Sequence, residues 1–416
     1  MVLPGGETVI SEMNLTLLLD LDGTLLDTKM DRFIPAYFQA LADEFQSMVP
    51  SEVLIRALIA GTNRMNESDD FFSTLEQVFS EEFYSKINVP RADLEESIGH
   101  FYDRVFPTLS HLTERIAASK PFIEWASSQG FRLAIATDPL FPRKATHHRL
   151  RWAGFEPEQF ELVSSFEHFH FSKTRPAYYA EMLGRLGWPE GPVLMAGNDY
   201  HRDILPARSL GLPVYHVQST PDATRQSGVP TGDLEGLRSW IEMQDARNLL
   251  PEYRSKDSVM SILIATPAIL SGLTVNRSSD AWSMKPFLQE WSMGELVCHL
   301  RDTEREIHHM QLDLFDKEGD PFIPRPDTSV WASLRDYVHE DGSQALHEFK
   351  VARRETLHRL GALASESWNR KARHAIFGPT TFLETVGFMA DHDRMHAQQA
   401  WAIQNESAIR PAPPNH

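Results

Sequence analysis

Leu17-Leu18-Leu19-Asp20-Leu21-Asp22-Gly23-Thr24-Leu25 is an apolar run that ends in two aspartates spaced two apart and is broken at once by glycine. From Leu15 to Asp20 the pattern is that of a buried parallel strand, a short continuous apolar stretch bounded by a turn signal. Residues two apart on a strand face the same side, so both carboxylates are delivered together at its carboxyl end. Open α/β sheets place their chemistry at that edge.

Outward from this strand the chain has two grammars. Up to about Glu242, short apolar strands alternate with helical segments, which predicts an α/β Rossmann-like parallel sheet. The candidate strands are Leu15–Asp20, Phe131–Thr137, Phe160–Ser164, Val193–Gly197 and Val214–Val217. The span from about Thr28 to Ser119 reads as helical throughout, an insertion after the first strand that forms a cap over the crevice. A closing helix ends at Glu242, and the polar stretch Asp245–Asp257 with Pro251 is the expected linker. Beyond Asp257 the strand signals vanish. Four amphipathic segments, near 257–275, 291–317, 331–363 and 380–405, predict an all-α four-helix bundle. The expected domains are therefore 13–245, with the cap at about 28–119, and 257–405. There is no internal repeat, and the Pro-rich end (Pro411, Pro413, Pro414) is expected to fray.

Composition limits the function. A chain of 416 residues is long for one core, so two domains are expected. Forty basic against 58 acidic residues give −18, which argues against a nucleic-acid or anionic-membrane partner. One cysteine, Cys298, excludes an internal disulfide and suits a reducing compartment. The amino terminus lacks the charged and apolar regions of a secretion signal. The greasiest stretch, Val259 to Leu273, reads as too interrupted and short to span a bilayer. Cytoplasm is the expected location.

At the strand tip, Asp20 can attack a phosphoryl group and carry it as an aspartyl-phosphate. Asp22 is placed to protonate the leaving oxygen and later to deprotonate water. Two carboxylates would repel an anionic substrate, so Mg²⁺ is required, with a third acidic group from elsewhere. Val193-Leu194-Met195-Ala196-Gly197-Asn198-Asp199-Tyr200-His201-Arg202-Asp203 again ends a strand in acids, and Asp199 and Asp203 are the candidates. Thr137, at a third strand tip, offers a hydroxyl for a phosphate oxygen. Lys173 offers a point charge to balance nucleophile and phosphate.

In this order the pieces resemble the haloacid dehalogenase-like superfamily over roughly residues 13–242. The resemblance implies that Asp20 is nucleophile and Mg²⁺ ligand. Asp22 would be the acid/base, with its main-chain carbonyl on the metal. Thr137 would be the second-motif hydroxyl and Lys173 the third-motif lysine. The fourth motif departs from the family pattern, since Asn198 follows Gly197 where an aspartate is usual. Asn198, Asp199 and Asp203 all stay open as the side chain that reaches the metal. Dehalogenases of the superfamily lack an acid at the position of Asp22, which favours phosphate esters as substrates; phosphomutases keep the same pair.

The second half carries another constellation. His392 and His396, four apart, share one face of the last helix. A third ligand from a facing helix would complete a metal site with open positions. His299 is the natural third, with His308, His309 and Glu304 as rivals. Cys298 adjoins His299 but is turned about 100° from it on a helix, and reads as a small buried hydrophobe. Of the histidines in the first half, His201 could touch the strand-tip site. Trp282, the block from Trp291 through His299 to Glu304, Trp368-Asn369-Arg370 and His392 to Gln398 together resemble the DinB-like metal-binding bundle family over about 257–405. That resemblance puts His299, His392 and His396 on the three ligand positions, for Zn²⁺, Ni²⁺ or Fe²⁺. It also implies thiol-dependent transferase or isomerase chemistry.

The preferred reading is a Mg²⁺-dependent phosphatase for a small phosphorylated metabolite, fused to a metal-binding bundle. The alternatives are a transferase or isomerase in the bundle with an auxiliary first half, and a non-catalytic sensing bundle that makes a homodimer.

Overall fold

The structure, a computed structural model, describes residues 13–218, 228–287 and 290–409. The Pro-rich end and the amino-terminal residues read for a secretion signal lie outside the described residues. The chain divides into two compact units. The first comprises Met1–Ser68, Ser73–Arg175 and Pro189–Glu252, and the second Asp69–Phe72, Pro176–Trp188 and Tyr253–His416.

In the first unit, strands β1 (Thr16–Leu19), β4 (Arg132–Ile135), β5 (Leu162–Val163), β6 (Val193–Gly197), β7 (Val214–Val217) and β8 (Thr231–Gly232) form one sheet. Its order is β5-β4-β1-β6-β7-β8, parallel throughout. β1 is central, and Leu15, Leu17, Leu18, Leu19 and Leu21 are fully buried. Each such side chain contributes on the order of 1.5–3 kcal/mol. The chain builds outward from β1 through β4 to β5, then returns to β6 on the other side. The strand order therefore reverses beside β1, where such sheets open a crevice at their carboxyl ends. Helices α5 (Ser119–Ser128), α6 (Arg143–Ala153), α8 (Leu205–Leu210) and α9 (Leu234–Glu242) accompany the sheet in this unit.

The inserted cap holds helices α1 (Met30–Phe45), α2 (Ser51–Glu67), α3 (Leu75–Ile87) and α4 (Arg91–His100). Its own core includes Phe33, Tyr37, Phe45, Leu54, Phe83 and Phe106. It is not helical throughout. β2 (Leu26–Thr28) pairs antiparallel with β3 (Thr113–Arg115), separate from the six-stranded sheet. Entry and exit of the insertion run side by side there, and pairing satisfies their main-chain groups.

In the second unit, α7 (Pro176–Arg185) packs against α10 (Lys256–Leu273). A Cβ on Gly184 would collide with Ile269, and one on Gly272 with Arg185, so both glycines are set by close approach of the helices. Among the described residues α10 is one helix long and apolar enough to cross a membrane by length and composition, so length does not exclude a span as expected from sequence. Yet 67% of it is buried within the protein. After the short α11 (Ser279–Ser283), α12 (Met293–Asp302) runs through a π-helical turn, Thr303–His308, into α13 (His309–Lys317). The helix expected over 331–363 is broken into α14 (Trp331–Leu334) and α15 (Gly342–Gly361). Asp336 takes a left-handed φ of 57° between them, and Asp341 restarts the helix by accepting from the Ser343 and Gln344 amides. α16 spans Phe382–Ile409. Strands do not vanish from this half: β9 (Phe322–Ile323), β10 (Lys371–His374) and β11 (Gly378–Thr381) make a small sheet. β10 does alternate, but its inward residues are Ala372 and His374, which leaves no apolar signal to read.

Arg353 of α15 ties the bundle together. Its guanidinium donates to Glu304 (2.8 and 2.9 Å) and pairs with Asp393 of α16, and all three side chains are fully buried. It also donates to the Leu263 carbonyl of α10. Arg353→Ala would leave two buried carboxylates uncompensated and should cost about 3–5 kcal/mol. Denaturant unfolding of the variant should show that loss, whereas a surface change such as Arg359→Ala should shift it by about 1 kcal/mol or less.

Candidate functional site

Asp20 follows β1 directly and is 6% exposed. Its Oδ1 accepts from Lys173 Nζ at 2.6 Å and its Oδ2 from Thr24 Oγ1 at 3.1 Å. Lys173, 1% exposed, also pairs with Asp203. Its amide donates to Asp138 Oδ1, which fixes the loop that carries it. The register Leu19↔Ile135 brings buried Thr137, just past β4, to the same sheet edge.

Asp22 does not sit beside Asp20 as a free partner. Its carboxylate accepts from Thr28 Oγ1 at 2.8 Å and pairs with Arg149 of α6, which is 1% exposed. That guanidinium lies over the Phe141 ring at 4.4 Å. Burial raises the Asp22 carboxyl above its ordinary value; Arg149 pulls it down, and Asp20 pushes it up again.

The fourth motif resolves into three separate tasks. Asp199 does not join the other carboxylates: its Oδ1 accepts from the His201 and Arg202 amides and caps the turn that follows. Asp203, 1% exposed, reaches Asp20 only through Lys173, and its Oδ2 accepts from the Asp199 amide at 2.8 Å. Burial, with the Asp20 charge next, lifts it to about 7 against the pull of Lys173. Asn198 is the side chain that meets Asp20. Its carboxamide lies 3.2 Å from Asp20 Oδ2 and 3.0 Å from the Asp22 main-chain oxygen, and donates to both when its nitrogen faces them. Gly23, at φ 88°, makes room, since a Cβ there would collide with this carboxamide. His201 is exposed, with its ring edge-on to Tyr200.

Cap residues close on the same edge. Arg175 donates to the Glu67 carbonyl at 2.9 Å, and Arg202 pairs with Asp138 and reaches Asn66 Oδ1 at 3.3 Å.

In the second unit, His392 Nε2 lies 3.1 Å from both His299 Nε2 and His396 Nε2. The ligand atoms of the three all fall within 4.8 Å of one another. The two 3.1 Å separations are those of nitrogens that share one ion at metal bonds of about 2.1 Å. Burial, then the neighbouring rings, lowers His299 to about 3 and His392 well below its ordinary value. Neutral imidazole is the form that binds metal. His396 Nδ1 is held by Gln399 Oε1 at 3.0 Å, which leaves Nε2 for the centre. Trp291 stacks on His396 with ring centres 5.9 Å apart. The rivals are occupied elsewhere: Glu304 by Arg353 and His308, and His309 by Thr356.

Residues 17–217 match the family model for haloacid dehalogenase-like hydrolases, and residues 262–400 match that for the DinB superfamily. The chain joins a haloacid dehalogenase-like hydrolase domain to a DinB-like domain. The DinB-like part is similar to structures such as YfiT from Bacillus subtilis, a probable metal-dependent hydrolase with an unusual four-helix bundle topology. That likeness is 16% identical and covers 48% of this chain and 98% of YfiT, with a TM-score of 0.34. A HAD phosphatase from Thermococcus onnurineus is 19% identical over 54% of this chain and 97% of its own, TM-score 0.37. A 2-haloacid dehalogenase from Pseudomonas syringae is 19% identical over 55% and 99%, TM-score 0.41. YuaE of Bacillus subtilis, described as uncharacterized, is 22% identical over 145 residues, 31% of this chain and 86% of that protein.

Two residues of the hydrolase domain escaped sequence reasoning. Arg149 stands among basic residues on an amphipathic helix and gave no signal. Asp138 follows Thr137 and was legible only as one more strand-tip acid. In the DinB-like domain Cys298 is fully buried, and burial pushes its thiol up to about 12. At mildly alkaline pH it should stay protonated and fail to react with a thiol reagent, and unfolding in denaturant should release it. Rapid labelling of the native protein would contradict that placement.

Proposed function

We propose that the hydrolase domain is a cytoplasmic phosphatase that cleaves a small phosphorylated metabolite through an aspartyl-phosphate on Asp20, with Mg²⁺ as cofactor. The reading is carried by two carboxyls at one strand tip in different electrostatic settings. Asp20 has an ammonium on one oxygen, whereas Asp22 is pushed toward its protonated form by burial. That division suits a nucleophile and a proton donor.

An Asp20 carboxylate oxygen attacks phosphorus as the ester P–O bond breaks, and the leaving oxygen takes the Asp22 proton. Water then attacks phosphorus, gives its proton to Asp22 and releases inorganic phosphate with the Asp20 carboxylate restored. To reach the leaving oxygen, Asp22 has to turn from Thr28 and Arg149. Lys173 balances Asp20 and the incoming phosphate, and Thr137 offers a hydroxyl to a phosphate oxygen. The cap helices exclude water while the acyl phosphate exists. Asp20, the Asp22 main-chain oxygen and Asn198 offer only oxygen donors, a set that fits Mg²⁺. When bound, Mg²⁺ would neutralise phosphate charge in this crevice.

The convergence of three histidine Nε2 atoms favours a second activity. In this reading His299, His392 and His396 hold one Zn²⁺, Ni²⁺ or Fe²⁺ with positions open to water or a thiolate, as a thiol-dependent transferase or isomerase needs.

Asp20→Asn should reduce Mg²⁺-dependent hydrolysis of an aryl phosphate by a factor on the order of 10³ or more while far-UV circular dichroism stays unchanged; activity near that of the parent protein would sink the nucleophile. His392→Ala should lower the transition-metal content of purified protein and leave phosphatase turnover intact. Unchanged metal content would reduce the histidines to packing.

A further inference from the structure

We propose that Asn198 makes Mg²⁺ binding depend on the substrate's phosphate: its neutral carboxamide oxygen is the third protein ligand, and phosphate oxygens supply the charge that a carboxylate would have brought. This rests on the phosphatase reading above and names how that site is loaded. Asn198 is the one fourth-motif side chain in contact with Asp20 Oδ2 and the Asp22 main-chain oxygen, at 3.2 and 3.0 Å. Oxygens about 3 Å apart are the edge of an octahedron with Mg–O bonds of 2.0–2.1 Å. With its nitrogen inward the carboxamide closes this corner by two hydrogen bonds. With its oxygen inward, three oxygens converge; the Thr24 hydroxyl brings one proton to share between Asn198 Oδ1 and Asp20 Oδ2, at 3.3 and 3.1 Å, and a cation between the three removes the remaining repulsion.

The charge count follows from where the other carboxylates point. Asp22 turns its carboxylate to Thr28 and Arg149 and offers the corner only a main-chain oxygen. Asp199 caps a turn, and Asp203 is paired with Lys173. One carboxylate remains, that of Asp20, and Lys173 already sits on its other oxygen. A hard divalent cation gains little from so small a charge, because its hydration must be replaced. A phosphate dianion arriving beside Lys173 changes the balance. Cation and phosphorylated substrate then bind as a coupled pair, each raising the affinity of the other by the same factor.

Isothermal titration calorimetry of the chelator-stripped full-length protein with MgCl₂, with and without inorganic phosphate, tests this. The histidine centre interferes little, because Mg²⁺ disfavours imidazole. Wild-type protein should bind Mg²⁺ weakly alone and at least about tenfold more tightly with phosphate. Asn198→Asp should bind Mg²⁺ at least about tenfold more tightly than wild type without phosphate, and gain less when it is added. Asn198→Ala should lose binding while its metal-free melting temperature stays close to that of wild type. Equal affinities for wild type and Asn198→Asp, indifferent to phosphate, would overturn the role of Asn198 and leave the Mg²⁺ reading standing. Absence of Mg²⁺ binding in every protein, with and without phosphate, would overturn that reading and this inference together.

Discussion

A buried ammonium governs the hydrolase domain. Lys173 is 1% exposed and touches two carboxylates, Asp20 and Asp203. A lysine charge in that setting is tolerable only if paired, and the carboxylates need it as much as it needs them. The three side chains come from three places: the end of β1, the loop before α7 and the turn after β6. Each parallel strand pairing that sets those ends level therefore feeds into one electrostatic cluster. The cluster fixes Asp20 with Oδ1 on the ammonium and Oδ2 turned to Thr24 and Asn198.

The DinB-like domain meets the same constraint with Arg353, fully buried against Glu304 and Asp393. Burial pushes Glu304 up, but the guanidinium and His308 outweigh it and hold the carboxylate well below its ordinary range. Asp393 adjoins His392 on α16, and Glu304 lies one helical step from Thr303, whose hydroxyl approaches His299 at 3.5 Å. The ionic network thus anchors both helices that present imidazoles. Burial lowers the basicity of His299, His392 and His396, so neutral imidazoles adjoin the ionic network.

Much of this was legible in the sequence. β6 and β7 fall where apolar runs put them, and β1, β4 and β5 lie within theirs, because strands of a parallel sheet covered on both sides read as short, mostly apolar runs. His392 and His396 were legible because i and i+4 on a helix share a face, and His299 through the resemblance to the DinB-like family. What stayed hidden depended on partners distant in the chain. Arg149 is one basic residue among several until α6 brings it to Asp22. Nothing local says that Asp199 caps a turn while Asp203, four residues on, meets a lysine. The strands β2 and β3, three residues each, are too short to show a period, and in the small sheet of the second half β10 turns only Ala372 and His374 inward. The break before α15 turns on one left-handed residue, Asp336, of a type that tolerates that conformation but does not announce it.

The most direct test of covalent catalysis is a borohydride quench during turnover of an aryl phosphate, followed by mass spectrometry of the peptide that contains Asp20. An acyl phosphate on Asp20 would be reduced to the primary alcohol, and that peptide should carry the corresponding mass loss only when substrate is present. An unreduced Asp20 under conditions of continued phosphate release, with reduction at another carboxylate or at none, would contradict the assignment of the nucleophile.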